Sequence, residues 1–112
     1  MSDAILKVLL IYPPLSLGSY ERPIVVPPLG LAYIGAVLEK ADYKVEILDT
    51  IALNWRSSIK NKDRIHLGQE WKDISDGIKR SKPDVVGISC SFSSQSENAH
   101  KVAELVKIYD AD

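Results

Sequence analysis

Residues 13–28 read PPLSLGSYERPIVVPP, a stretch of sixteen residues set between an apolar strand pattern and an apolar helix pattern. Strand-to-helix connections in α/β units usually take about two to six residues, so a connection this long marks a binding element and not a simple linker. Before it, residues 5–12 (ILKVLLIY) form a nearly continuous apolar run, as in strands buried on both faces of a parallel sheet. After it, Pro27 and Pro28 can open a helix, because proline is tolerated in the first turn. Leu31, Ile34, Leu38 and Ala41 then recur at helical spacing as the expected inward face, with Gly35 beside them allowing close approach to the sheet. The long stretch therefore leaves the carboxyl end of a first strand, the end at which open α/β sheets take their ligands.

The same alternation continues downstream. Residues 44–48 (KVEIL) alternate polar and apolar side chains like an edge strand, which ends at Asp49. Between Thr50 and Gly68 the pattern lapses into a polar segment carrying Arg56, Lys60, Lys62 and Arg64, expected to be a loop with a helical turn around Leu53 to Ile59. Trp71, Ile74 and Ile78 give the inward stripe of a second helix, with Lys72, Asp73, Asp76 and Lys79 facing water and Pro83 ending it. Residues 84–89 (DVVGIS) are a third strand. Ser94 and Glu97 have the spacing of a capping box for a third helix, with Ala99, Val102, Ala103, Val106 and Tyr109 inward. Strand and helix in strict alternation specify right-handed crossovers, giving a flavodoxin-like (Rossmann-like) doubly wound parallel sheet with spatial order beginning 2-1-3. Such a sheet continues through further strands, whereas this chain is truncated after the third helix. Residues 1–112 are thus expected to be the amino-terminal part of a longer protein, with an exposed edge on the third strand.

At 112 residues the chain accommodates one core. A net charge of -1 gives no global attraction to nucleic acid or anionic membrane, so partners must be argued from sites. The basic segment beside Trp55 (Arg56, Lys60, Lys62, Arg64) reads as a solvated loop, and nucleic acid is not an expected partner. The single cysteine, Cys90, directly follows a buried strand and is expected to be a small core residue. The amino terminus has no signal-peptide pattern and no apolar run approaches the ~20 residues that span a bilayer, so a cytoplasmic location without a membrane partner is expected.

No catalytic constellation is present. His66 and His100 are the only histidines, no metal-ligand spacing occurs, and His100 reads as a solvated surface residue. The glycine patterns of phosphate and dinucleotide loops are absent, and Tyr12-Pro13-Pro14 replaces the hydroxyl-rich loop that a flavin phosphate needs. A phospho-receiver would need acidic residues where Tyr12, Pro13 and Ser89 stand. What remains at the strand ends is hydroxyl-rich and largely uncharged: Pro13, Pro14, Leu15 and Ser16 after the first strand, Asp49 to Ile51 after the second, and Ser89, Ser91, Ser93, Ser94 and Gln95 after the third. That lining suits a large, mostly neutral ligand held by hydrogen bonds and contact area.

Four blocks carry a resemblance: KVLLIYPP at residues 7–14, VPPLGLAYIG at 26–35, YKVEILD at 43–49 and KPDVVGIS at 82–89. With these the chain resembles the amino-terminal cobalamin-binding domain of the radical S-adenosylmethionine enzymes, the group of methyltransferases and the anaerobic magnesium-protoporphyrin IX monomethyl ester cyclase. The resemblance implies a cobalamin-binding module, with Pro13 to Ser16 and the turn Pro28, Leu29, Gly30 bordering the corrin and Ser89 and Ser91 lining the pocket of the nucleotide tail. It further implies an iron-sulfur cluster and S-adenosylmethionine in a C-terminal radical domain, which would be this module's partner. Cobalamin domains of the mutase type carry Asp-x-His-x-x-Gly in the first loop to give cobalt a histidine, and this chain has no histidine there. Asp63, His66 and Gly68 form only a near miss in another segment, read as coincidence. The rival reading is a non-catalytic flavodoxin-like protein-interaction domain.

Overall fold

Val8, Leu9, Leu10, Ile11 and Tyr12 are consecutive and all buried, which a strand satisfies only when both sheet faces are covered. The computed structural model, which describes residues 6–18, 29–53, 58–61, 64–90 and 96–109, places them in β1 (Lys7–Tyr12) at the centre of a three-stranded parallel sheet. Its neighbours are β3 (Lys44–Asp49) and β6 (Val85–Ile88), in the order β3-β1-β6, with Leu10 opposite Ile47 on one side and Gly87 on the other. Counted along the parallel strands alone, this is the expected 2-1-3 order. Among the described residues, nothing pairs with the outer side of β6.

Alternation along β1 divides the core between the two faces. Val8, Leu10 and Tyr12 pack with Leu31 of α1 (Leu29–Lys40), Ile51 and Leu67. Leu9 and Ile11 pack with Ile74 and Ile78 of α3 (Trp71–Ser81) and Val102 of α4 (Ser96–Tyr109). The inward stripe of α3 is as expected. It ends at Lys82, whose positive φ of 50° lets its N–H reach the Ile78 carbonyl at 3.2 Å before Pro83. α4 buries Val102, and Ala99, Ala103, Val106 and Tyr109 are half-buried beside it. Ser94 of the expected capping box lies outside the described residues.

α1 is rotated from its expected seating. Leu31 and Gly35 are buried and Leu38 half-buried, but Ile34 is 51% exposed and Ala41 is exposed. Gly35 lies on the side turned to the sheet, where a Cβ would be in ordinary contact with Val45 Cγ1 at 3.4 Å and Ile47 Cδ1 at 3.7 Å. Leu29, Tyr33, Ile34 and Val37 consequently form an apolar face turned to solvent.

Three further corrections concern the connections. The stretch after β1 contains a strand, β2 (Leu15–Gly18). The segment expected as a loop folds into α2 (Thr50–Leu53), β4 (Ser58–Asn61) and β5 (Arg64–Leu67), so the helical turn sits at 50–53 and not at 53–59. β2, β5 and β4 form a second, antiparallel sheet in that order. Cys90, expected in the core, is exposed: the last ladder bond is from Ser89 N–H to the Ile11 carbonyl, and Cys90 lies beyond it. Among the described residues, no helix is long and apolar enough to cross a membrane.

Candidate functional site at the carboxyl end of the central strand

Where β1 ends, Pro13 and Pro14 continue the chain without N–H groups, so only carbonyl oxygens there need partners. The side chains that meet them come from two distant elements. Thr50, fully buried at the start of α2, donates from Oγ1 to the Tyr12 carbonyl at 2.8 Å. Asn98, 6% exposed in the first turn of α4, donates from Nδ2 to the Pro14 carbonyl at 2.9 Å and to Ser16 Oγ at 3.1 Å. Both prolines are fully buried by this arrangement.

The second sheet closes over the same point. Gly68 has φ +124°, and a Cβ there would lie 2.9 Å from Pro14 Cβ, so only glycine allows the chain leaving β5 to cross Pro14. The next residue, Gln69, donates its N–H to the Thr50 carbonyl at 2.8 Å, tying the hairpin to α2. In the β2–β5 ladder Leu15 is opposite Leu67 and Ser16 opposite His66. Leu15 and Leu67 face the α1 core, which turns Ser16 and His66 together toward the first turns of α3 and α4. There the His66 ring packs edge-on against Trp71 at 5.4 Å between centroids, and Lys101 Nζ lies 5.0 Å from the other ring's centre. His66 Nε2 is 2.8 Å from the Gln69 carbonyl.

Asp49 is engaged locally. Its Oδ1 accepts from the N–H groups of Ile51 at 3.2 Å and Ala52 at 3.0 Å, capping α2. Burial, and secondly the Asp49 charge, push the Tyr12 hydroxyl above its ordinary pKa. Gln69 Oε1 is buried with no partner among the described residues, an acceptor that costs about 1–3 kcal/mol unless a donor reaches it.

The structure thus brings Pro13, Pro14, Leu15 and Ser16 into one cluster and sets Ser89, half-buried, beside the last residues of β1. Leu29 and Gly30 are exposed at the start of α1, and a Cβ on Gly30 would meet nothing within 4 Å. Pro28, Ser91, Ser94 and Gln95 lie outside the described residues. Thr50, within the expected strand-end stretch 49–51, joins the cluster, and Gln69, His66 and Asn98 belong to it although the motifs did not single them out. For Asn98 a signal existed: a polar amide on the same helix face as Val102 needs a buried partner. Among the described residues no group of three or more His, Cys, Asp or Glu side chains could hold a metal ion.

The B12 binding domain family matches residues 21–112 of this chain. The chain is 42% identical over 106 residues to cytidylyl-2-hydroxyethylphosphonate methyltransferase of Streptomyces wedmorensis, an alignment covering 89% of this chain and 20% of that protein. It is 30% identical over 105 residues to an uncharacterized methyltransferase of Pyrococcus horikoshii, covering 92% of this chain and 19% of the other. The chain therefore spans about a fifth of the length of these relatives. No solved structure gives a significant match.

Proposed function

This chain belongs to the B12 binding domain family, and we propose that it is the cobalamin-holding module of a methyltransferase whose radical S-adenosylmethionine chemistry and iron-sulfur cluster reside in further polypeptide. Methyl transfer is preferred to ring formation because both relatives are methyltransferases by name. The radical domain rests on the sequence blocks that resemble such enzymes. The substrate of the Streptomyces relative is not carried over, since the similarity covers only a fifth of that protein.

The observation that carries the reading is the donor set at the carboxyl edge. Ser16, Ser89 and Asn98 are neutral, and Gln69 Oε1 is a buried acceptor awaiting a donor. A corrin is fringed by carboxamides, each offering both N–H donors and a carbonyl acceptor, so hydroxyl and amide groups fit it better than fixed charges would. Ser16, Ser89 and Gln69 would hold the cofactor, and Asn98 would keep Ser16 and Pro14 in place. When bound, cobalamin supplies a methyl-carrying metal centre. This chain's own residues bind and orient it, and the apolar packing of Leu15 and Leu67 keeps water from beneath the site.

A second reading, a protein-interaction domain, is supported by the solvent-facing apolar residues of α1, where Tyr33 is 75% and Val37 66% exposed. A two-dimensional amide NMR titration with hydroxocobalamin separates the two. Saturable shifts at Ser16, Gln69, Ser89 and Asn98 are expected. A dispersed spectrum that does not move at millimolar cofactor would refute the cobalamin reading and leave the interaction domain.

A further inference from the structure

We infer that a further helix of the parent polypeptide, following α4, docks beside α1 over β6 and covers Tyr33, Ile34 and Val37. The first observation is α1 itself. From Leu29 to Leu38 it carries no charged residue, Glu39 and Lys40 being the only ones in the helix. Yet Tyr33 is 75%, Val37 66% and Ile34 51% exposed. A helix that is apolar nearly all round belongs inside a structure, since it has no polar face to offer water. An open groove of about 260 Å³ lies on it, lined by Tyr33, Ile34, Val37 and Leu38.

The second observation is the sheet beside that groove. Paired residues of parallel neighbours point to the same face, so Val85 and Gly87 lie on the side of Val8 and Leu10, which is the α1 side. Val86 and Ile88 pack on the opposite face with the α3 and α4 cluster. On the α1 side Val85 is 47% exposed, and Leu10 leans over Gly87, its Cδ2 2.9 Å from where a Cβ would stand. Among the described residues α1 is the long helix on that face. It is seated over β3, where Gly35 meets Val45 and Ile47, and over β1, where Leu31 and Leu38 pack. At about 100° per residue, Ile34 and Val37 come next round the helix, on the side of β6. The groove and the bare strip over β6 are therefore continuous, and a parallel sheet needs both faces covered.

The fold also narrows what fills the strip. α4 leaves β6 on the α3 face, and a right-handed crossover from there sets the next parallel strand on the outer side of β6. That strand widens the bare face and does not cover it, so the cover must come from the α1 side. A separate molecule is disfavoured by size. A helix of 12 residues presents a strip of about 18 Å by about 10 Å, well short of the ~800 Å² per partner that a stable complex buries. A tethered helix needs less contact, because the linkage supplies its effective concentration. The curated relatives carry about four-fifths of their length outside the matched region, ample for such a helix.

The test places the photo-crosslinker p-benzoylphenylalanine at position 33 of the full-length protein, in place of Tyr33. A crosslink within one polypeptide, to a peptide beyond residue 112, is expected by mass spectrometry. Hydroxyl-radical labelling gives a second readout: Tyr33 and Val37 should be labelled in the 112-residue chain and lose that label in the full-length protein. Val37→Glu should restore labelling of Tyr33 in the full-length protein. It should leave the unfolding midpoint of the 112-residue chain unchanged, because Val37 is already exposed there. Crosslinks between two polypeptides, or labelling of the 112-residue chain that falls as its concentration rises, would assign the face to a second copy and overturn the inference. Equal labelling of Tyr33 in both proteins, or a full-length protein that ends at residue 112, would overturn it as well. None of these readouts needs the cofactor, so this inference and the cobalamin reading fail separately.

Discussion

Replacing Asn98 with alanine removes two hydrogen bonds, to the Pro14 carbonyl at 2.9 Å and to Ser16 Oγ at 3.1 Å. Each such bond contributes ~0.5–1.5 kcal/mol net, and stranding a buried acceptor adds a desolvation penalty of ~1–3 kcal/mol. Ser16 can turn its hydroxyl to another partner, whereas the carbonyl of fully buried Pro14 cannot reach water without movement. The expected loss is therefore about 2–4 kcal/mol, weighted toward the Pro14 bond. With a urea dependence of ~1–3 kcal/mol per molar for a small domain, the unfolding midpoint should drop by roughly 1–2 M. Asn98→Asp sharpens the test, because at neutral pH a carboxylate presents only acceptors to the Pro14 carbonyl. It should be at least as destabilising as alanine at pH 7. It should recover relative to alanine as pH falls and the carboxyl becomes protonated, since the folded state then binds that proton more tightly than the unfolded chain. A midpoint shift for Asn98→Ala below about 0.3 M, at unchanged slope, would show that α4 does not clamp the end of β1 and would refute the argument built on it.

Two other outcomes are expected. Gly68→Ala should destabilise by at least about 2 kcal/mol, combining a φ of +124° that L-residues avoid with a Cβ 2.9 Å from Pro14 Cβ; thermal or urea unfolding reads it, and a variant as stable as the parent would mean that the crossing of Pro14 is not close. The raised Tyr12 pKa means that the folded state holds the phenolic proton more tightly, so this contribution is intact below the ordinary tyrosine value of ~10 and is lost as pH climbs toward the folded value; the steep alkaline loss of stability should be shallower in Tyr12→Phe, and identical profiles would count against the burial argument.

The parallel sheet was legible because its signals are redundant. A continuous apolar run needs cover on two sides, an alternating run makes an edge, and proline and glycine punctuate both. The second sheet was not legible. β2, β4 and β5 have four residues each, too few to show a period, and the two residues between β4 and β5, Lys62 and Asp63, carry no Asn-Gly or Asp-Gly hairpin signal. That omission hid part of the candidate site. Ser16 was read from its place after the first strand, but its neighbours His66 and Asn98 come from β5 and α4, and only antiparallel register and helix docking bring them together. The rotation of α1 was missed for a simpler reason: periodicity finds an apolar face, and α1 has apolar residues nearly all round, so the pattern did not single out the side of Leu31 and Gly35 that meets the sheet.

The contacts that fix the end of β1 also impose an order of assembly. Tyr12 waits for a residue 38 positions downstream, and Pro14 for one 84 positions downstream. Closing the longer of these loops costs only ~0.7 kcal/mol more in entropy than the shorter, so distance along the chain is no thermodynamic obstacle. It is a kinetic one. During synthesis residues 7–16 emerge first, yet the last group they need is made almost at the end of these 112 residues. The apolar β1 strand must therefore be sheltered by transient contacts until α4 docks, and substitutions at Asn98 should raise the unfolding rate far more than they slow folding.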